Sequence, residues 1–221
     1  MKLFKKLFLS CLAGMAIAVG GIVFLSIKSF SNSNAISILA SYSFSIGLIL
    51  VLVFGLWLFT GKIGYVLEKK FTILDFIIMF VGNFIGAAFM GYLVHFILKN
   101  TDPYAMNLLT TLTKLNGFDF WKLLLSGIFC GMFVYAAVEV FKIKKLHLVI
   151  RIFFVIAFIG TFVILKLNHC IANIFYISFA DAWSWKAILF IFVNTLANSI
   201  GAIALNSVKV LVLKVYNKHI K

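Results

Sequence analysis

Six apolar stretches, each flanked by basic residues, decide most of what this chain can fold into. They run over about residues 7–27, 36–60, 72–98, 121–141, 147–180 and 185–213. A helix needs roughly 20 apolar residues to cross a bilayer, so 221 residues hold about six crossings in one domain, 1–221. The chain is 64% hydrophobic, with a mean hydropathy of +1.14. That composition excludes a water-soluble globular domain. The 26 Phe and single Pro fit long helices, so the expected fold class is an all-α membrane protein.

The start, "MKLFKKLFLSCLAGMAIAVG", imitates a secretory signal, with a basic end and an apolar run. The run continues through "GIVFLSI" to Ile27, long enough to span, and is read as the first transmembrane helix. A net charge of +14 raises nucleic acid as a partner. The basic residues sit in short clusters between apolar segments, as juxtamembrane charge does, and nucleic acid is rejected. Cys11, Cys130 and Cys170 lie in apolar segments; their odd number gives no disulfide framework.

Charge also sets the expected topology. Lys2, Lys5 and Lys6, the 61–71 loop, the 142–151 loop, and Lys214, Lys218 and Lys221 fall on one side. The other side holds Lys28, Lys99, Lys114, Lys122 and Lys186. The heavier side is expected in the cytoplasm, with both termini.

An internal repeat runs through the chain. "LSCLAGM" at 9–15 resembles "SGIFCGM" at 126–132, and "VGNFIGA" at 81–87 resembles "LANSIGA" at 196–202. Span 1 therefore matches span 4, and span 3 matches span 6. Each half has an odd number of spans, so the halves insert in opposite orientations. Spans 2 and 5 become partners, and both are irregular. Span 2 carries Gly47 and Gly55; span 5 is overlong and contains Lys166, Asn168, His169 and Asn173. Inverted repeats with interrupted helices are the mark of transporters and channels. The predicted architecture is six helices in two inverted three-helix repeats, with spans 2 and 5 interrupted.

An ionisable side chain within a span is by default a functional candidate, and His169 is the foremost here; its other reading is a hydrogen-bonded packing group. A neutral imidazole donates one hydrogen bond and accepts one, so it could hold an anion or meet a weak acid. Asn173 follows one helical turn later. At the two ends of span 2, Phe44, Leu48, Leu58 and Phe59 are large and apolar. They are either packing or lipid-facing residues, or constrictions against hydrated ions, with Thr60 the nearest polar group. His95, His147 and His219 are scattered near span ends, and few acids are present. Neither an enzyme nor a metal or cofactor site is expected.

These residues resemble the formate/nitrite transporter family, pentameric anion channels or transporters with an aquaporin-like protomer. Its span-5 motif E-H-x-[VI]-A-N-M-F is similar to "NHCIANIF", 168–175, and its span-2 motif G-[AG]-[ED]-L-F-T to "GLWLFT", 55–60. Its G-N-x-x-G motifs stand as "GNFIGA" and "ANSIGA", its span-4 motif as "GIFCG", and its span-2 loop as "FSIGLIL". The resemblance runs from about residue 7 to 215. It implies a central pore histidine, His169, bonded to Thr60. It also implies an outer constriction at Phe44 and Phe162, an inner one at Leu48 and Leu58, and Lys114 as the cation that attracts anions. Trp57 and Asn168 stand where the family has acids, Gly131 where it has an asparagine, and Ala197 where it has a glycine. Lys166 is an added charge.

The function expected is that of a transmembrane channel or proton-linked transporter for small monovalent weak-acid anions, of the formate, nitrite or hydrosulfide class. The resemblance implies a homopentamer, and the expected location is a bacterial inner or plasma membrane. A water or neutral-solute channel would need two N-P-A caps, and the sole proline, Pro103, lies in a loop. From another class, the alternative is a non-transporting membrane scaffold or interaction subunit whose departures have closed the pore.

Overall fold

The computed structural model describes residues 3–31 and 33–219, with side chains to residue 215. Lys2 and Lys221 of the sequence reading lie outside the described residues, as do the side chains of Lys218 and His219. The described chain is all helical. Long helices α1 (Leu3–Lys28), α5 (Ile73–Leu98), α7 (Phe120–Phe141) and α10 (Trp185–His219) frame it. Between α1 and α5 come α2 (Asn34–Ser43), α3 (Ile46–Val53), the single turn α4 (Phe59–Lys62) and a 3-10 segment, Ile63–Glu68. Between α7 and α10 come α8 (Leu148–Ile164) and α9 (Cys170–Phe179). The loop joining α5 to α7 is itself helical: α6 (Asp102–Asn116) opens on Pro103, where the missing N–H is no loss.

Among the described residues, five stretches are long and apolar enough to cross a membrane: α1, α2 with α3, α5, α7 and α10 to Val215; α8 and α9 are shorter apolar helices. Large apolar side chains such as Phe89, Phe96, Trp121 and Phe153 face outward. A water-soluble surface would not carry so many.

Small residues let backbones touch where water offers no drive to associate. α1 packs along α5, and α7 along α10. A Cβ on Gly86 would land on the Cys11 carbonyl, and one on Gly201 on the Ile128 carbonyl. The two helix pairs thus cross at matched points of the repeat.

Polar groups sort by end. Lys6 at the start of α1 pairs with Asp75, which closes a capping box with Thr72 at the start of α5. Lys209 of α10 bridges Glu139 of α7 (2.7 Å) and Glu68 (3.5 Å); Glu68 also pairs with Lys70. Tyr65 donates to Glu139 and accepts from Lys142. Of the predicted heavier side, Lys6, Lys70 and Lys142 make these contacts.

Candidate functional site

The predicted irregularities in spans 2 and 5 are two helix breaks of one design. After α3, Gly55 N–H bonds Leu52 O and Leu56 N–H bonds Val51 O; after α8, Lys166 N–H bonds Val163 O and Leu167 N–H bonds Phe162 O. This is the turn that ends a helix on a left-handed residue. Gly55 (φ +63°) fills that position in the first break and Lys166 (φ +54°) in the second.

Each break exposes backbone polar groups at membrane depth, where they must find partners inside the protein. One buried asparagine serves each. Asn83 of α5 accepts from Phe59 N–H (2.7 Å) and donates to the carbonyls of Ser10 (2.7 Å) and Trp57 (2.8 Å). Asn198 of α10 accepts from Cys170 N–H (2.9 Å) and donates to the carbonyls of Gly127 and Asn168, both at 2.8 Å. Each lock ties its break to the neighbouring long helix. The sequence reading passed over both asparagines as parts of glycine motifs. The signal was there: two asparagines in apolar surroundings at the same point of a repeat.

The restarted helices meet at their beginnings. Thr60, fully buried in the first turn of α4, lies 2.9 Å (Oγ1) from His169 Nε2, 109 residues away in sequence. His169 caps α9: its Nδ1 accepts from Ala172 N–H at 3.2 Å. An accepting Nδ1 carries no proton, so the neutral ring holds its proton on Nε2 and donates it to Thr60. The positive end of the α9 dipole points at the same spot.

Phe162 stacks on the imidazole at 6.1 Å between ring centroids and meets Phe44 edge-on at 6.0 Å. These three residues wall two spaces. A cavity of about 410 Å³ opens on the α6 side, with Lys114, Lys166 and Asn173 among its lining. A void of about 10 Å³, barely one water, lies on the other side against Leu48 and Leu58.

Asn173 accepts from Lys114 Nζ at 3.4 Å and donates to Asn168 Oδ1 at 3.4 Å, while Asn168 donates to Ser126 Oγ at 2.7 Å. Lys114 lies on α6, outside the apolar stretches, and burial pushes its ammonium down to about 8. Of the site residues read from sequence, the structure brings together Thr60, His169, Asn173, Lys114, Phe44, Phe162, Leu48 and Leu58. Phe59 it puts elsewhere: its ring meets Phe80 at 5.5 Å in a second apolar cluster with Tyr65, Phe76 and Met79. Neighbouring residues on a helix point about 100° apart, so Phe59 and Thr60 cannot both face His169. Trp57 stacks edge-on against Phe71 at 5.6 Å, with Lys6 and Lys62 each 5.9 Å from its ring. Among the described residues no group of three or more His, Cys, Asp or Glu could hold a metal.

A family model described as formate/nitrite transporter matches residues 1–212. The chain is 26% identical over 192 residues to the formate channel FocA of Haemophilus influenzae, covering 78% of this chain and 66% of that protein. It thus spans just under two thirds of that relative's length. In structure it is similar to a pentameric formate channel with formate bound, with a TM-score of 0.76 at 20% identity over 99% of this chain and 98% of that one. It is also similar to an FNT family ion channel, with a TM-score of 0.79 at 17% identity over 95% and 90%. These likenesses show a shared fold. The apolar helices and the whole-length family match make this an integral, multi-pass membrane protein of a transporter family rather than an enzyme family. The chain belongs to the formate/nitrite transporter family.

Proposed function

We propose that this chain is the protomer of a homopentameric channel or proton-linked transporter for small monovalent weak-acid anions of the formate, nitrite or hydrosulfide class. Each protomer then has its own path, through six spans in two inverted halves, with spans 2 and 5 the broken pair. Both termini lie in the cytoplasm of a bacterial cell whose inner membrane holds the protein. The observation that carries this reading is the Thr60–His169 hydrogen bond. It joins the two breaks between an aromatic pair and a leucine pair.

In this reading Lys114 gathers the anion in the large cavity. The constriction at Phe44 and Phe162 penalises the bare charge, as any apolar passage does. His169 holds one proton, and with Nδ1 occupied by Ala172 surrendering it would leave an imidazolate. The ring therefore offers a hydrogen bond, and the weak acid takes up its proton from acidic solvent before it enters the constriction. Leu48 and Leu58 must swing aside for passage, because the void between them and His169 holds about 10 Å³. That tightness is also what a non-transporting scaffold would show.

Flux into vesicles of formate, nitrite, hydrosulfide, acetate and lactate at two pH values separates the two readings. A transporter passes the smaller acids faster, and faster at the lower pH. No flux of any would establish the scaffold.

A further inference from the structure

The two breaks share one backbone turn, yet its left-handed position holds Gly55 in one and Lys166 in the other. Glycine adopts this conformation freely, whereas a residue with a Cβ is strained in it. Strain of this kind persists where the surroundings enforce it and clusters at functional sites. The Lys166 side chain is exposed and lines the large cavity, together with Lys28 and Lys114. Among the described residues that lining includes no carboxylate. The other two lysines are engaged: Lys28 donates to Ser37 at 2.7 Å and Lys114 to Asn173. The side chain of Lys166 has no hydrogen-bond or ion-pair partner among the described residues. The carboxylates that pair with lysines, Glu68, Asp75 and Glu139, are gathered at the other end of the bundle.

We propose that Lys166 is an anion-capture residue of the large cavity, a second cation that draws monovalent oxyanions to the Phe44–Phe162 constriction. The inference rests on reading that cavity as the mouth of an anion path. Its left-handed backbone projects the ammonium over the cavity one residue before the segment that leads to His169.

The test compares Lys166→Gly, Lys166→Met and Lys166→Arg with the parent in vesicles. Lys166→Gly restores the residue that the matched turn carries. At low ionic strength, Lys166→Gly and Lys166→Met should each lower formate uptake about threefold to tenfold, at the lower edge of what a focused local field supplies. The gap should close above roughly 0.5 M salt, where screening is nearly complete. Lys166→Arg should keep parental uptake. The melting temperature of Lys166→Gly should not fall below the parent's, because the turn is relieved. Uptake equal to the parent's in both uncharged variants overturns the inference. So does loss of uptake in Lys166→Gly accompanied by loss of stability, which marks a structural role. If the parent itself passes none of the weak acids, the proposed function has failed and the inference falls with it.

Discussion

The break after α3 and the break after α8 share a backbone and differ in nearly every side chain. Both end on a left-handed residue, both restart a short helix, and both are locked by one asparagine from a long helix. At matched positions the first break has Gly55, Trp57, Leu58 and Thr60, and the second has Lys166, Asn168, His169 and Ile171. The shared part builds the scaffold, and the unshared part holds the chemistry. The buried polar pair, Thr60 and His169, stands where the repeat is broken in side chain but kept in fold.

The asparagine locks give the largest expected effects. Asn83→Ala and Asn198→Ala each remove three hydrogen bonds and leave one loop carbonyl (Trp57 or Asn168) and one N–H (Phe59 or Cys170) without a partner, while the helical carbonyls of Ser10 and Gly127 keep their bond within the helix. At about 1–3 kcal/mol for each buried group left unsatisfied, each variant should lose about 3 kcal/mol or more, seen as a large drop in thermal midpoint in detergent. Equal losses keep the two breaks equivalent; a silent variant on one side breaks the comparison.

Next comes the pH dependence of Lys114. Burial lowers this ammonium from its ordinary 10.5 to about 8. The charge is present below that pH and disappears above it. Anion current at fixed formate concentration should therefore fall as the pH on the cavity side rises through about 8. Lys114→Arg should hold the current to higher pH, and Lys114→Met should be low and lack the step near pH 8.

The smallest effects set Trp57 against Asn168. Asn168→Ala loses its bond to Ser126, worth about 1 kcal/mol, and frees Asn173 beside the path; relative uptake of nitrite and formate should shift by severalfold or less. Trp57→Ala loses packing on Phe71 and the nearby lysines, so it should lower stability and leave that ratio unchanged. A shift in the ratio from Trp57→Ala alone would reverse the roles assigned to the two positions.

Much of this was legible in the sequence because polar residues in apolar segments are rare enough to stand out. His169, Thr60 and Asn173 announce themselves that way, and the glycine motifs expose the repeat. The left-handed turn was half legible: Gly55 signals it, but a lysine at the same position does not, since only the repeat maps one onto the other. Phe59 reads as a constriction because it is large and apolar at the end of span 2, and the helix start that turns it away from His169 cannot be located to one residue from sequence. The pairing of Lys6 with Asp75 and of Lys209 with Glu139 was hidden by separations of 69 and 70 residues, which only the packing of the long helices closes.

The central claim is that the hydrogen bond between the two breaks lies on the anion's path. The most direct measurement is formate uptake into vesicles at low pH by the parent and by His169→Phe, matched for melting temperature and amount inserted. A fall of at least about tenfold, the size expected for losing about 1.4 kcal/mol or more of stabilisation at the narrowest point, is the predicted result. Uptake unchanged by the substitution would contradict the claim.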